Sequence, residues 1–260
     1  MPTPDPMKAF PSAILLLALA SSPLYSQSDE PPVEQPREIT ANQQAFLNLP
    51  EAQRKEFIKH VGEASRLFQQ KRIFETLDEL HKAREIFPES AELYNLSGSC
   101  YVEFRNFDKA LEDFRKAAEI SPDNASVEFN IAEVLFVTKE YQKAHDAFLE
   151  LIKKVPVENV GLGRLVEFKI LLCKKKLGMD AEAEALAQKY DFLDDSPYYY
   201  YANAALAYDK GELVKAEEWL AMAGRVFRDP NILAPWQDTV VEFGYIKSFY
   251  GDDTAVGGED

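Results

Sequence analysis

The chain has 260 residues, of which 46% are hydrophobic and 28% charged, a composition typical of a globular protein rather than a disordered one. The 44 acidic side chains outnumber the 29 basic ones, so the formal net charge is −15. A surface with this excess of negative charge repels polyanions, and we therefore expect no nucleic acid partner. Two cysteines are too few for a small domain held together by disulfides.

The first 27 residues differ in composition from the rest of the chain. Lys8 precedes an apolar run from Ala13 to Ala20, and small and polar residues follow it. This order is typical of a signal peptide, and the run is shorter than the ~20 apolar residues of a membrane-spanning helix. We therefore expect residues 1–27 to be a signal peptide and the mature chain to act in the periplasm or outside the cell, without a membrane span.

Two flanking segments are predicted to stay unpacked. Residues 28–50 begin with a charged, proline-rich stretch, and residues 252–260 form an acidic tail. Neither segment offers enough apolar side chains to offset the entropy lost on ordering. We predict a flexible arm before the folded region and a disordered tail after it.

Three prolines, Pro88, Pro122 and Pro156, are spaced 34 residues apart and define an internal repeat. Apolar side chains recur five and eight residues before each proline, as the triplets Ala83, Ala117, Leu151 and Leu80, Phe114, Phe148 show. Each unit contains two helical apolar patterns joined by a short polar turn. A period of this length predicts stacked pairs of helices.

The second unit resembles the tetratricopeptide repeat. Its aromatic, small and proline positions are Tyr94, Gly98, Tyr101, Ala110, Phe114, Ala117 and Pro122, and it departs from the family only at Ser97, where leucine is preferred. The resemblance implies an all-α fold, an α-solenoid of antiparallel helix pairs in a right-handed superhelix. No cofactor is expected.

The repeat pattern extends over residues 51–228 with about five helix pairs, the first of which is degenerate and reads as a cap. A further helix is predicted to begin at Pro235 and to end before Gly251. It lies within residues 229–251, a segment that we expect to cover the end of the stack.

The sequence contains no catalytic or metal-binding pattern. His60, His81 and His145 are the only histidines, and none has the spacing of a metalloprotease, a catalytic triad or a zinc site. Cys100 and Cys173 both fall at the tenth position of a first helix, where the family favours a small buried residue. We therefore predict two free, buried thiols and a protein that is not an enzyme.

The resemblance also implies a binding surface, because first-helix residues line the concave groove of the family. The matching candidates are Asn95, Ser99, Phe129, Asn130, Phe136, Tyr198, Tyr201 and Tyr208. The three tyrosines lie on one stripe of a helix, and exposed tyrosines are good recognition residues. A second interpretation stays open, in which this stripe packs in the core against the helix that contains Trp236.

These observations predict a non-enzymatic scaffold that binds another protein or an extended peptide in the groove; they leave its oligomeric state open. The alternative is a small-ligand or glycan-binding protein that stacks its ligand on aromatic groove residues. The one basic concentration, Lys174 to Lys176, is interpreted as complementing the dipole at the end of its helix.

Overall fold

The computed structural model describes residues 40–247 and residue 249, which form twelve α-helices and no strand. The helices are α1 Ala41–Leu47, α2 Glu51–Gln69, α3 Ile73–Ile86, α4 Ala91–Glu103, α5 Phe107–Ile120, α6 Ala125–Val137, α7 Tyr141–Ile152, α8 Val160–Lys176, α9 Asp180–Ala187, α10 Tyr198–Asp209, α11 Leu213–Val226 and α12 Pro230–Phe243. The predicted all-α fold of helix pairs is confirmed. The predicted signal peptide and the acidic tail lie outside the described residues.

The described residues divide into two compact units, residues 40–134 and residues 135–249, with the boundary inside α6. In the first unit α2 packs against α3, and α4 packs against α5. In the second unit α8 packs against α7 and α9, and α10 packs against α11. The helices α2 to α11 thus follow one another as five helix–turn–helix repeats.

The turn inside each of these repeats has the same backbone conformation. Its central residue has a positive φ, which is 59° at Lys71, 57° at Arg105, 65° at Lys139, 74° at Gly178 and 73° at Gly211. The next N–H donates to the carbonyl five residues earlier, as from Asn106 to Tyr101 at 2.9 Å. This hydrogen bond defines the Schellman motif, which ends a helix by satisfying its last carbonyls. The first three turns are 34 residues apart, so the repeat of the sequence is also a repeat of turn geometry.

The second repeat shows why a small residue occupies its family position. A Cβ placed on Gly98 of α4 would lie 2.7 Å from ring carbons of Phe114 in α5. The Phe114 side chain is fully buried, and its ring occupies the space that any larger residue at position 98 requires. Glycine therefore lets the two helices approach closely.

The end of the predicted flexible arm is helical, because α1 forms within residues 28–50. The part of the arm before residue 40 lies outside the described residues. Phe46 of α1 packs against Phe57 and Phe87, with ring centroids 5.2 Å and 5.4 Å apart. These contacts join α1 to the core of the first unit. The Phe46 ring thus docks α1 on this core.

The last helix also differs from the prediction. The predicted helix begins at Pro235 and ends before Gly251, whereas α12 begins at Pro230 and ends at Phe243. Gly244, with a φ of 90°, terminates it. Pro235 lies inside the helix, and α12 packs against α8.

Candidate functional site

Most of the side chains predicted to line the groove are buried. Those with almost no exposed surface are Ser99, Phe129, Asn130, Phe136, Tyr198 and Tyr201, while Asn95 and Tyr208 are half-buried. The structure therefore corrects the predicted exposure of six of the eight residues. The contacts of these eight side chains differ between the two units.

In the second unit the tyrosine stripe of α10 lies beneath α12. Trp236 of α12 is 3% exposed, and its ring centroid lies 5.4 Å from that of Phe168 and 5.5 Å from that of Tyr201. The ring of Tyr198 meets the same indole edge-on at 6.4 Å, and its hydroxyl donates to the Leu186 carbonyl at 2.8 Å. The stripe thus packs in the core against the Trp236 helix, so these rings offer no stacking platform for a glycan.

The C-terminal end of α12 makes a second aromatic contact with the same unit. Phe243 stacks on Phe136, with ring centroids 5.9 Å apart and planes at 19°. Beyond the helix, Tyr245 stacks on Tyr208 at 4.9 Å and donates its hydroxyl to Asp209 Oδ1 at 2.7 Å. Burial raises the pKa of Tyr245, and this hydrogen bond, made by the protonated form, raises it further. All three candidate positions Phe136, Tyr201 and Tyr208 therefore contact the segment that contains α12.

Two lysines of α8 also face this segment. The buried Lys169, 1% exposed, places its Nζ 3.8 Å from Glu242 Oε2 and 4.8 Å from the ring centroid of Phe136. The Nζ of Lys176 lies 4.4 Å from the ring centroid of Phe243. A buried ammonium needs such partners, because a lost partner leaves a charge uncompensated away from water. The face that α12 covers therefore combines aromatic rings with positive charge.

The other two lysines at the end of α8 are neutralised within the second unit. Lys174 Nζ lies 2.5 Å from Glu182, and Lys175 Nζ lies 2.5 Å from Asp180 and 3.1 Å from Asp209. These contacts use the charges that a free carboxylate ligand would need. The basic run therefore pairs with carboxylates of its own unit.

In the first unit the first-helix face carries an oriented amide. Asn130 of α6 donates its Nδ2 to Asn95 Oδ1 of α4 at 2.9 Å. The Asn95 amide thereby uses its oxygen, and no hydrogen bond from its Nδ2 is made to another described residue. Ser99 donates its hydroxyl to the Asn95 carbonyl at 2.9 Å, so this hydroxyl is satisfied inside the helix. Asn95 is the predicted groove residue that offers a donor to a partner.

Helix α2 adds an open stripe to the same unit. Ile58, Gly62 and Ser65 lie at helical spacings of four and three, and the 34-residue register matches them to Glu92, Leu96 and Ser99 of α4. Ile58 is 60% exposed, and a Cβ on Gly62 would meet no atom within 4 Å. Glycine inside a helix costs about 0.5–1 kcal/mol relative to alanine, and no close packing of the described residues requires it here.

We call the surface formed by Ile58, Gly62, Ser65 and Asn95 the α2–α4 face. The sequence analysis missed its α2 residues, although a glycine in the middle of a helical pattern was a usable signal. The backbone of α2 is open to close approach at Gly62, beside an exposed apolar side chain.

The thiols agree with their prediction, since both Cys100 and Cys173 are free and buried. Burial raises the pKa of Cys100 to about 12. Within residues 40–247 no helix is long and apolar enough to cross a membrane. Likewise, the part of the chain that the structure describes contains no group of three histidine, cysteine or acidic residues placed to hold a metal ion.

Residues 91–124, which comprise α4, α5 and their turn, match the family model described as tetratricopeptide repeat. These residues form a tetratricopeptide repeat, which confirms the resemblance predicted from the sequence. Among curated proteins the chain is similar to tetratricopeptide repeat protein 37 of Xenopus laevis, with 25% identity over 121 residues. The match covers 45% of this chain and spans 8% of the length of that relative.

Two solved structures share the fold of this chain. One is YrrB, described as a protein of this family with an unusual peptide-binding site; the TM-score is 0.50 at 20% identity, over 75% of this chain and 97% of that one. The other is the pilF protein of Pseudomonas aeruginosa, with a TM-score of 0.53 at 19% identity, over 75% of this chain and 94% of that one. At these identities the similarity establishes the fold alone. Proteins built from the tetratricopeptide repeat are generally non-enzymatic scaffolds for protein interactions.

Proposed function

We propose that the protein is a non-enzymatic adaptor that binds an extended segment of another polypeptide on the α2–α4 face. The observation that carries this proposal is the hydrogen bond from Asn130 Nδ2 to Asn95 Oδ1. It holds the Asn95 amide in one orientation, with its N–H groups directed to the carbonyl of an incoming peptide. A donor that is already oriented loses little entropy on binding.

The rest of the face supports an extended ligand. Ile58 supplies an exposed apolar contact, and the missing side chain at Gly62 allows the ligand to approach the helix closely. The net charge of −15 attracts basic segments over longer distances. The proposed ligand is therefore an extended, basic peptide with a small apolar side chain near the carbonyl that Asn95 binds.

Peptides selected from a random library on the full chain test this proposal. Asn95→Asp keeps the size of the side chain and the acceptor for Asn130, but removes the N–H donors. We expect selected peptides to bind this variant at least tenfold more weakly, a loss of about 1.4 kcal/mol or more, measured by fluorescence anisotropy.

The matched control is Gln53→Glu, which adds the same negative charge at an exposed position of α2 outside the face. It should leave the affinity within about twofold, since a single exposed charge is screened by salt. Equal affinities for Asn95→Asp and the unchanged chain would show that the peptides bind elsewhere.

We also propose that the protein acts in the periplasm or outside the cell. The support is the sequence of residues 1–27, with Lys8 followed by a short apolar run. Mass spectrometry of the protein from fractionated cells should find a mature chain that begins between residues 21 and 28. An intact N-terminus on protein in the cytoplasmic fraction would contradict export.

A further inference from the structure

We propose that the second unit contains another binding surface, which accepts an amphipathic helix with aromatic residues seven positions apart, and that α12 is its internal, exchangeable occupant. This surface, the α8–α10 face, is formed by Phe136, Phe168, Lys169, Tyr201 and Tyr208. It belongs to residues 135–249, so the proposal does not depend on the α2–α4 face.

The contact made by α12 has the pattern of a helix bound in a groove. Its buried side chains are Thr239 and, at spacings of three, four and three, Leu233, Trp236, Val240 and Phe243. Such spacing places them on one stripe of the helix, as in peptide helices that dock into a hydrophobic groove. The first three residues of α12, 230–232, are exposed, and its remaining residues are half-buried. Trp236 and Phe243, seven residues apart, are the two anchors that enter the aromatic contacts of the face.

Helix α12 is not part of any helix–turn–helix repeat. The last helix–turn–helix repeat is complete at Val226, and residues 227–229 connect it to α12. No described helix follows α12 to form a pair with it. It lies instead on α8, and its Trp236 reaches Tyr201 of α10. Helix α12 therefore covers residues of the first helices α8 and α10, as a bound peptide helix would.

The sequence of α12 is poorly suited to an independent helix. Pro235 lies in its interior, where the missing N–H removes a hydrogen bond to the carbonyl four residues earlier. Thr239, Val240 and Val241 are β-branched, and Thr239 bonds its hydroxyl back to the Pro235 carbonyl at 2.7 Å. A 14-residue helix with these features depends on its docking surface to fold. Undocking and unfolding of α12 are thus one step, and a better helix can compete for the face.

The charge on the face adds a requirement for the partner. Glu242 of α12 places its Oε2 3.8 Å from Lys169 Nζ, within the range of an ion pair. A competing helix keeps this contact when it carries a carboxylate directly before its second aromatic residue. The partner is therefore an amphipathic helix that carries Trp or Phe at positions i and i+7 and an acidic residue at i+6.

Hydrogen exchange measured by mass spectrometry on the full chain tests whether α12 opens separately. We expect the amides of α12 to be protected at least 100-fold less than those of α8, because α12 opens without the rest of the unit. Equal protection of α12 and α8 would overturn the proposal, since α12 would then open only when the whole unit unfolds.

Binding of a labelled peptide of residues 229–247 tests whether the face accepts a helix in trans. We expect at least tenfold tighter binding to the Trp236→Ala chain than to the unchanged chain, because the tethered competitor acts at an effective concentration on the order of millimolar. A peptide that carries the same Trp236→Ala change should not bind either chain.

For this comparison the Trp236→Ala chain must keep the helical circular dichroism of the repeats, with a loss no larger than that of the 14 residues of α12. Failure of the peptide to bind a folded Trp236→Ala chain would overturn the proposal. If that variant does not fold, Val240→Ala replaces it with a smaller loss of contact and the same expected direction. The exchange measurement on the unchanged chain decides in either case.

Discussion

Both units have a face formed by the first helices of their repeats, but this face is partly open in the first unit and covered in the second. In the first unit, Ile58 and Gly62 leave part of the first-helix face open, and Asn95 holds an oriented donor there. In the second unit, Tyr198 and Tyr201 occupy corresponding first-helix positions but lie under α12. The same kind of repeat therefore forms an accessible face in the first unit and a covered face in the second.

The difference shows that a residue's place in a repeat does not determine its exposure. The turns repeat the same geometry in both units, from Arg105 in the first to Gly211 in the second. What differs is a helix that belongs to no repeat. The availability of the second face is thus governed by α12 and not by the tetratricopeptide repeats themselves.

The largest expected effect is that of Trp236→Ala, which removes the main anchor of α12. Truncation of a buried tryptophan costs about 3–5 kcal/mol, which should undock α12 and destabilise the second unit. Urea unfolding followed by circular dichroism measures the loss. The control is Phe74→Ala, since Phe74 is 74% exposed and its truncation should change stability by less than about 0.5 kcal/mol. Similar losses in the two variants would contradict the structural role of α12.

The second effect, expected in the first unit, is that of Gly98→Ala. The added Cβ meets the Phe114 ring at 2.7 Å, so overpacking should cost about 1–3 kcal/mol. Cys100 reports the result, because burial raises its pKa to about 12 and its thiolate forms near pH 8 only when the unit opens. Labelling of Cys100 should accelerate while that of Cys173 does not. Gly224→Ala, which meets no atom within 4 Å and lies in the second unit, is the control and should leave the labelling of Cys100 unchanged.

A smaller effect is expected from substitutions in the turns, which have the same geometry in the two units. Gly211 has a φ of 73°, so Gly211→Ala should destabilise the protein by about 1 kcal/mol through backbone strain alone. Arg105 has the same conformation without being glycine, and Arg105→Gly should relieve strain and be neutral or stabilising by up to about 1 kcal/mol. Thermal melting measures both changes. Shifts of the same sign would contradict the common turn geometry.

The smallest effect concerns the open face itself. Gly62→Ala should stabilise α2 by about 0.5–1 kcal/mol, because the helix gains propensity and the new methyl group meets no atom. The same methyl group should weaken binding of the library-selected peptides at least tenfold, as anisotropy would show. A more stable variant with unchanged affinity would remove Gly62 from the binding surface.

The helix pairs were predictable because their determinants are local. Gly98 and Phe114 are complementary in size, and Pro122 stops the second helix at a fixed offset, so the pattern is visible without the structure. The buried thiols follow from the same register. Helix α1 was missed because its seven residues are too few to show a helical period of apolar side chains.

The covered face could not be predicted from the repeat. Periodicity identified the tyrosine stripe of α10, but Tyr201 meets Trp236 across 35 residues of sequence, and no local pattern specifies that contact. The predicted start of the last helix was wrong because proline is common at first helical positions. Pro230 supplies that signal five residues before Pro235. It follows Asp229, whose carboxylate caps the helix by accepting the Asn231 N–H at 2.9 Å.

The distance between α12 and the rest of the second unit can be measured by double electron–electron resonance between two spin labels. Spin labels at Ile232→Cys on α12 and Val157→Cys before α8 are both at exposed positions, and Val157 is 90% exposed. The native thiols of Cys100 and Cys173 are buried, so the labels attach to the introduced cysteines.

Without peptide, α12 should be docked, and the chain should show one narrow distribution of the distance between the two labels. Saturating peptide of residues 229–247 should then produce a second, longer and broader distribution as it displaces α12. A distribution that stays narrow and unchanged at saturating peptide would contradict an exchangeable α12.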